Sequence, residues 1–257
     1  MLRFSAACSA RRVMDSILRN IMNRDLMLPA AIIFDMDGVL LDSSPFHLRK
    51  WMNLLRTRAI PFDEQDLRKI VLGPANDVIF RHFLGADLTR EQLSELSEEL
   101  DASFRREIGP HPPALPGVRR FIEECHAHGI AMAVASAAIA SNVTFLISAL
   151  GLQDYFRVVL AVDATARPKP HPDVYLKTAE KLDVRPADCA VFEDSFVGIE
   201  AAKRAGMKCI AIASTFSAED LRRETYPDLI VPNFETVSLQ TLHHLFNGTG
   251  AAPERHG

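Results

Sequence analysis

Asp35 and Asp37 stand two residues apart where the apolar run Ala30-Ala31-Ile32-Ile33-Phe34 ends. In an extended backbone, side chains at i and i+2 lie on the same side. Two carboxylates so placed are not ordinary surface charges. One can ionise and hold a cation or attack an electrophile, while its neighbour is pushed toward the neutral, proton-donating form. Gly38 comes next and permits a sharp turn or a close approach to a ligand.

Other reactive residue types recur where apolar runs stop. Ser136 follows the run from Ala131 to Ala135, and Glu193 and Asp194 follow Ala190-Val191-Phe192. Lys169 stands in the proline-rich loop Arg167-Pro168-Lys169-Pro170-His171-Pro172. Two acid pairs, a hydroxyl and an ammonium can together bind Mg²⁺ and a phosphoryl group. Taken singly, each has a plainer reading: Asp37 could cap a turn, Ser136 a helix, and Lys169 could be solvated.

The elements that would position these residues follow from periodicity. Apolar strands are predicted at Ala131 to Ala135, Val158 to Val162, Ala190 to Phe192, Cys209 to Ile212 and Leu229 to Val231. Helix-like stretches fall at about 140–150, 172–182 and 197–205. Continuous apolar strands alternating with helices predict an α/β fold, Rossmann-like, with a mostly parallel sheet covered by helices on both faces. Such sheets bind ligands beyond the carboxyl ends of their strands, where the acids, serine and lysine sit. Between Pro45 and Asp101 helical periodicity dominates (Phe46, Trp51, Leu54, Leu55, then Leu93, Leu96, Leu100), and the stiff segment Gly109 to Gly117 closes the block. The expected organisation is an α/β core over 28–44 and 116–247, a helical insertion over 45–115, and a tail over 248–257.

Bulk properties narrow the function classes. The chain has 257 residues, 48% hydrophobic and 24% charged, with net charge −4. No nucleic-acid or membrane partner is expected from that charge, and no apolar stretch approaches the roughly 20 residues that span a bilayer. Cys8, Cys125, Cys189 and Cys209 lack CxxC spacing, which predicts free, packed thiols in a reducing, cytoplasmic setting. Cys125-His126-Ala127-His128 has no second cluster to complete a metal site. Residues 1–27 carry Arg3, Arg11, Arg12, Arg19 and Arg24 against Asp15 and Asp25. That extension reads as loosely ordered or as an organellar transit segment.

The ordered motifs Phe34-Asp35-Met36-Asp37-Gly38-Val39, Val134-Ala135-Ser136-Ala137, Lys169-Pro170-His171-Pro172 and Phe192-Glu193-Asp194-Ser195, continuing through Gly198-Ile199-Glu200-Ala201-Ala202, carry a resemblance. The chain resembles the haloacid dehalogenase-like hydrolase superfamily, in its β-phosphoglucomutase-like phosphatase branch, over about residues 30 to 246. The resemblance implies that 45–115 is a mobile cap domain and that Asp35 is a nucleophile forming an aspartyl-phosphate. It implies that Asp37 is the acid and base, and that Ser136 and Lys169 grip the phosphoryl oxygens, with Gly38 and Ala137 beside them. It also implies Mg²⁺ as cofactor, held by the Asp35 carboxylate, the Asp37 carbonyl and Asp194. Glu193 would support as a ligand or by orienting Lys169. His47 would relay cap closure to Asp37, or else sit as a packed histidine at the cap–core seam; Trp51 is read as packing.

The expected activity is a Mg²⁺-dependent phosphatase acting on a small sugar, polyol or nucleoside monophosphate. The alternative is a β-phosphoglucomutase-like mutase. A mutase must hold a second phosphate, yet the segment Val71 to Asp77 holds no cation, and Ala138-Ile139-Ala140 follow Ser136. Only Lys69 or Arg81 could substitute. Dehalogenation is disfavoured, because it needs neither Asp37 nor the Glu193-Asp194 pair. Asn76, Asp77 and His47 are the cap-side candidates for substrate contact, and a monomer or weak homodimer is expected.

Overall fold

A computed structural model describes residues 26–248; expectations that fall on 1–25 and 249–257 lie outside the described residues. Six strands, β1 (Ala31–Phe34), β2 (Ala131–Ala135), β3 (Val158–Leu160), β4 (Cys189–Glu193), β5 (Lys208–Ile212) and β6 (Leu229–Val231), form one sheet in the order β3-β2-β1-β4-β5-β6. All five pairings are parallel. The order reverses at β1, which has β2 on one side and β4 on the other, so connections leave in opposite directions and a crevice opens above its carboxyl end.

Burial explains the continuous apolar runs. Every residue of β1, β2 and β4 is buried. Alternate side chains go to opposite faces: Ile32 and Phe34 join one core cluster, Ala31 and Ile33 the other. The first face packs on α5 (Val118–Ala127), α6 (Ala140–Ala149) and α10 (Leu239–Phe246) through Phe121, Leu146 and Leu242. The second packs on α7 (Asp173–Leu182), α8 (Phe196–Arg204) and α9 (Ala218–Glu224) through Tyr175, Ile199 and Leu221. Phe34 stacks on Phe192 at 5.3 Å between centroids, with Phe121 edge-on. Each such ring contributes about 1.5–3 kcal/mol by leaving water.

The expected Rossmann-like α/β architecture is present, with local differences. β3 stops at Leu160 rather than Val162, because the Val162 N–H donates to the Ala138 carbonyl instead of to a ladder. β4 gains Cys189 and Glu193 at its ends. Cys125, Cys189 and Cys209 are free and buried, as packing predicted. Burial pushes the Cys125 thiol up to about 12, which removes it from thiolate chemistry at neutral pH. Among the described residues no helix is long and apolar enough to cross a membrane.

Between β1 and α5 run four helices: α1 (Ser44–Thr57), α2 (Glu64–Val71), α3 (Asn76–Leu84) and α4 (Arg90–Ile108). Asp63 caps α2 through the Gln65 and Asp66 N–H groups, and a Thr89/Gln92 capping box starts α4. Trp51, Leu55, Leu67, Ile79, Phe80, Leu93 and Leu100 give this unit an apolar cluster of its own. α4 is shared, since its distal Phe104 and Ile108 pack into the cluster against the sheet. Phe216, in the loop after β5, touches both the helical cluster and the sheet and stacks on Phe196 at 4.2 Å.

Candidate active site

β1 delivers Asp35 to the crevice: its N–H still bonds to the Phe192 carbonyl, as if the strand continued. The chain then turns at Gly38, whose φ of +73° favours glycine. A Cβ there would fall 1.9 Å from Asp194 Oδ2, so the turn and the second acid pair are fitted to one another. Asp35, Asp37, His47, Asn76, Ala137, Lys169 and Asp194 line one cavity of about 620 Å³, its open mouth included.

Lys169 is the hub. Its Nζ donates to Asp35 Oδ1 at 2.6 Å, to Glu193 Oε1 at 2.7 Å and to the Ala135 carbonyl at 3.2 Å. Burial works against its charge, but Asp35 and Glu193 outweigh that and push its ionisation well up. Both oxygens of Glu193 are committed: Oε1 also accepts from the Tyr175 hydroxyl, and Oε2 accepts from the Asp194 and Ser195 N–H groups and the Ser195 hydroxyl. Glu193 thereby bonds Lys169 while its other oxygen is anchored to the start of α8.

The carboxylates are set apart electrically. Burial pushes Asp35 up to about 7, with Lys169 pulling it back and the Glu193 and Asp37 charges adding to the rise. Burial, then Glu193 and Asp35, push Asp194 well above the carboxylate range, although the Thr215 hydroxyl donates to its Oδ2. Asp37 goes the other way. Burial would raise it, but His47 Nε2, 2.9 Å from its Oδ1, carries it below its ordinary value. Asp35, Glu193 and Asp194 thus share one buried ammonium, and an oxygen-seeking dication would relieve the excess negative charge. The Asp35 and Asp194 carboxylates with the Asp37 carbonyl form a donor set suited to a hard ion. Among the described residues no three His, Cys, Asp or Glu side chains form a metal cage by themselves.

Ser136 is buried at the end of β2, and its Oγ accepts from the Ala138 N–H at 3.0 Å, which leaves its own proton to donate. Ala137 and Ala138 line the cavity, while Ser136, Gly38 and Glu193 are not among its lining residues. Asp77 accepts from Val78 N and lines an outer groove with Arg81. Neither expected substitute cation reaches the cavity: Lys69 is exposed, and Arg81 donates to the Ala86 carbonyl.

Lys50, Asp101, Tyr175 and Thr215 went unread in the sequence, as did the cavity-lining Ser43, Ser44 and Asn142. Lys50 and Asp101 form a buried ion pair at 2.5 Å on the cavity wall, with Asn76 Nδ2 donating to Asp101 at 2.8 Å. A signal existed, because Asp101 falls on the buried stripe of α4 with Leu93, Leu100, Phe104 and Ile108.

A doubly wound parallel sheet with paired acids, a serine and a lysine above its switch point defines a phosphate-handling α/β hydrolase. The chain belongs to the haloacid dehalogenase-like hydrolase family, whose model matches residues 32–212. It is 30% identical over 220 residues to the β-phosphoglucomutase of Bacillus subtilis, covering 83% of this chain and 93% of that one. It is 32% identical over 188 residues to the fructose-1-phosphate phosphatase YqaB of Escherichia coli, covering 71% and 96%. A crystal structure of a family IA, variant 3 HAD hydrolase from Entamoeba histolytica superposes with a TM-score of 0.76 at 27% identity, covering 84% and 99%. The chain is an enzyme of the HAD-like phosphatase class, in the β-phosphoglucomutase-like branch.

Proposed function

We propose that the protein is a Mg²⁺-dependent phosphatase that hydrolyses a small phosphorylated metabolite, a sugar, polyol or nucleoside monophosphate, through an aspartyl-phosphate on Asp35. The observation that carries this reading is Lys169 seated on Asp35 while Asp37, two residues on, faces the same cavity bound to His47. Asp35 attacks the phosphorus atom through a carboxylate oxygen, and the bond to the leaving oxygen breaks. Asp37 hands to that oxygen the proton it shares with His47 Nε2, and it later takes a proton from the water that hydrolyses the acyl phosphate. The Ser136 hydroxyl and the Lys169 ammonium stabilise the equatorial oxygens of the phosphoryl group. Asp35, Asp194 and the Asp37 carbonyl would hold magnesium, which supplies charge neutralisation between an anionic nucleophile and an anionic phosphate. The helices over 45–115 act as a cap whose closure excludes bulk water.

The test is phosphate release from p-nitrophenyl phosphate with magnesium present. Loss of release in Asp35→Asn and with a chelator supports the assignment; activity surviving in either defeats it. A mutase reading is favoured by the Bacillus relative's name. Incubation with β-glucose 1-phosphate and a bisphosphate primer separates the two, because a mutase yields isomerised sugar phosphate in excess of free phosphate.

A further inference from the structure

A buried lysine–aspartate pair in a small helical unit needs explaining. Apolar side chains of similar volume would hold the helices together as well or better. Lys50 on α1 and Asp101 on α4 have side chains only 2% and 1% exposed, yet both reach the cavity that Asp35, Asp37 and Lys169 line. Lys50 also rides over the Phe104 ring at 5.2 Å, which fixes its direction. It is the cation that the helical unit brings to this cavity, and Asp101 neutralises it.

Counting donors and acceptors identifies what this cluster can read. The Asp101 carboxylate offers about four lone-pair sites, of which Lys50 and Asn76 use two. Lys50 has three N–H donors and gives one to Asp101; Asn76 gives one amide proton and keeps another, along with its carbonyl. Neighbouring spare donors and spare acceptors match groups that both give and take hydrogen bonds. Hydroxyls do this. A second phosphate only accepts, and it would bring negative charge against buried Asp101.

We infer that Lys50, Asp101 and Asn76 form a hydroxyl-reading subsite that selects an uncharged, polyhydroxylated leaving group and rejects bisphosphates. This rests on the phosphatase reading above and narrows its substrate to polyol or sugar monophosphates. Lys50, Asp101 and Asn76 determine specificity and leave the phosphoryl chemistry to the groups on the sheet.

The experiment compares kcat/KM with magnesium for glucitol 6-phosphate, hexyl phosphate and glucitol 1,6-bisphosphate, alongside p-nitrophenyl phosphate. The wild-type protein should favour glucitol 6-phosphate over hexyl phosphate and over the bisphosphate by at least about tenfold. In Asn76→Ala, which leaves the ion pair in place, the polyol-to-alkyl ratio should fall by at least about threefold. In Asp101→Asn, which bares the Lys50 charge, preference should move toward the bisphosphate. A structural staple would lower all substrates alike, so a wild-type ratio near one, or a ratio unchanged in Asn76→Ala, overturns the subsite. Absence of release from p-nitrophenyl phosphate by the wild-type protein would instead remove the phosphatase reading, and this inference with it.

Discussion

His47 Nε2 lies 2.9 Å from Asp37 Oδ1, joining the first turn of the helical unit to the acid that follows β1. His47 is held in turn against Phe104 of α4, ring on ring at 4.4 Å. One imidazole therefore ties the Asp37 carboxylate to two helices of the helical unit. Replacing His47 with Ala should let the Asp37 ionisation climb, because burial then acts unopposed by its main partner. The expected outcome is an upward shift of the Asp37 resonance in a ¹³C carboxyl titration, with kcat lowered about tenfold. An unmoved titration would remove the relay role.

Asp35→Asn should do two things at once. Activity should drop to background, because an amide is not a phosphoryl acceptor here. Stability of the magnesium-stripped protein should rise at pH 7.5. The sign follows from linkage: an acid whose ionisation moves from 3.8 to about 7 on folding binds an extra proton in the folded state across that window. Its contribution is full below the unfolded value and is lost as pH rises to about 7. Thermal melts of both proteins from pH 4 to 8 check this; the wild-type midpoint should fall across the window more steeply than the variant's.

Tyr175→Phe removes the hydroxyl that donates to Glu193 at 2.8 Å inside the sheet's helical cover. Glu193 keeps Lys169 and three other donors, so the fold should survive. The cost should be about 1–3 kcal/mol, measured by denaturant titration, and kcat should fall a few-fold as Glu193, the counter-ion of Lys169, is held by one bond fewer.

Asp228 accepts from Lys203 Nζ at 2.5 Å and from the Cys209 N–H at 2.8 Å, beside the start of β5. Burial opposes its charge, but these partners hold it below the ordinary carboxylate range. A depressed acid stabilises the fold above its unfolded value, and that stability is lost as pH falls through the folded one. Asp228→Asn should therefore lower the midpoint at pH 7 and narrow the gap between pH 7 and pH 3. Equal gaps in the two proteins would refute the pairing.

The sheet and its reactive ends were legible because a parallel strand buried on both faces must be apolar throughout. The first polar residue after such a run stands at the crevice. Asp35 and Glu193 were found this way, Asp37 and Asp194 as the acids beside them and Lys169 from the proline-rich loop after the third strand, and family resemblance supplied expected roles. Ser136 was found too, directly after β2 and before the cavity-lining Ala137. Lys50 and Asp101 were harder. Each lies on a charged-looking helix, and their meeting depends on how α1 packs against α4, a contact 51 residues apart in the chain. Tyr175 and Thr215 were hidden for the same reason: each looks like an ordinary helix or loop residue until its distant acid is in place. The helical block was read as one insertion, and its splitting into four helices hinges on local signals such as the Asp63 and Thr89 caps.

Asp35, Ser136 and Asp194 follow directly on strands and Lys169 stands in the loop after β3, whereas Lys50, Asn76 and Asp101 belong wholly to helices with their own oily centre. On the proposed reading, choice of customer and execution of the reaction are thus housed on separate timbers. A designer could recast the three helix positions to admit a different alcohol without disturbing the register that keeps Asp35 beside Lys169.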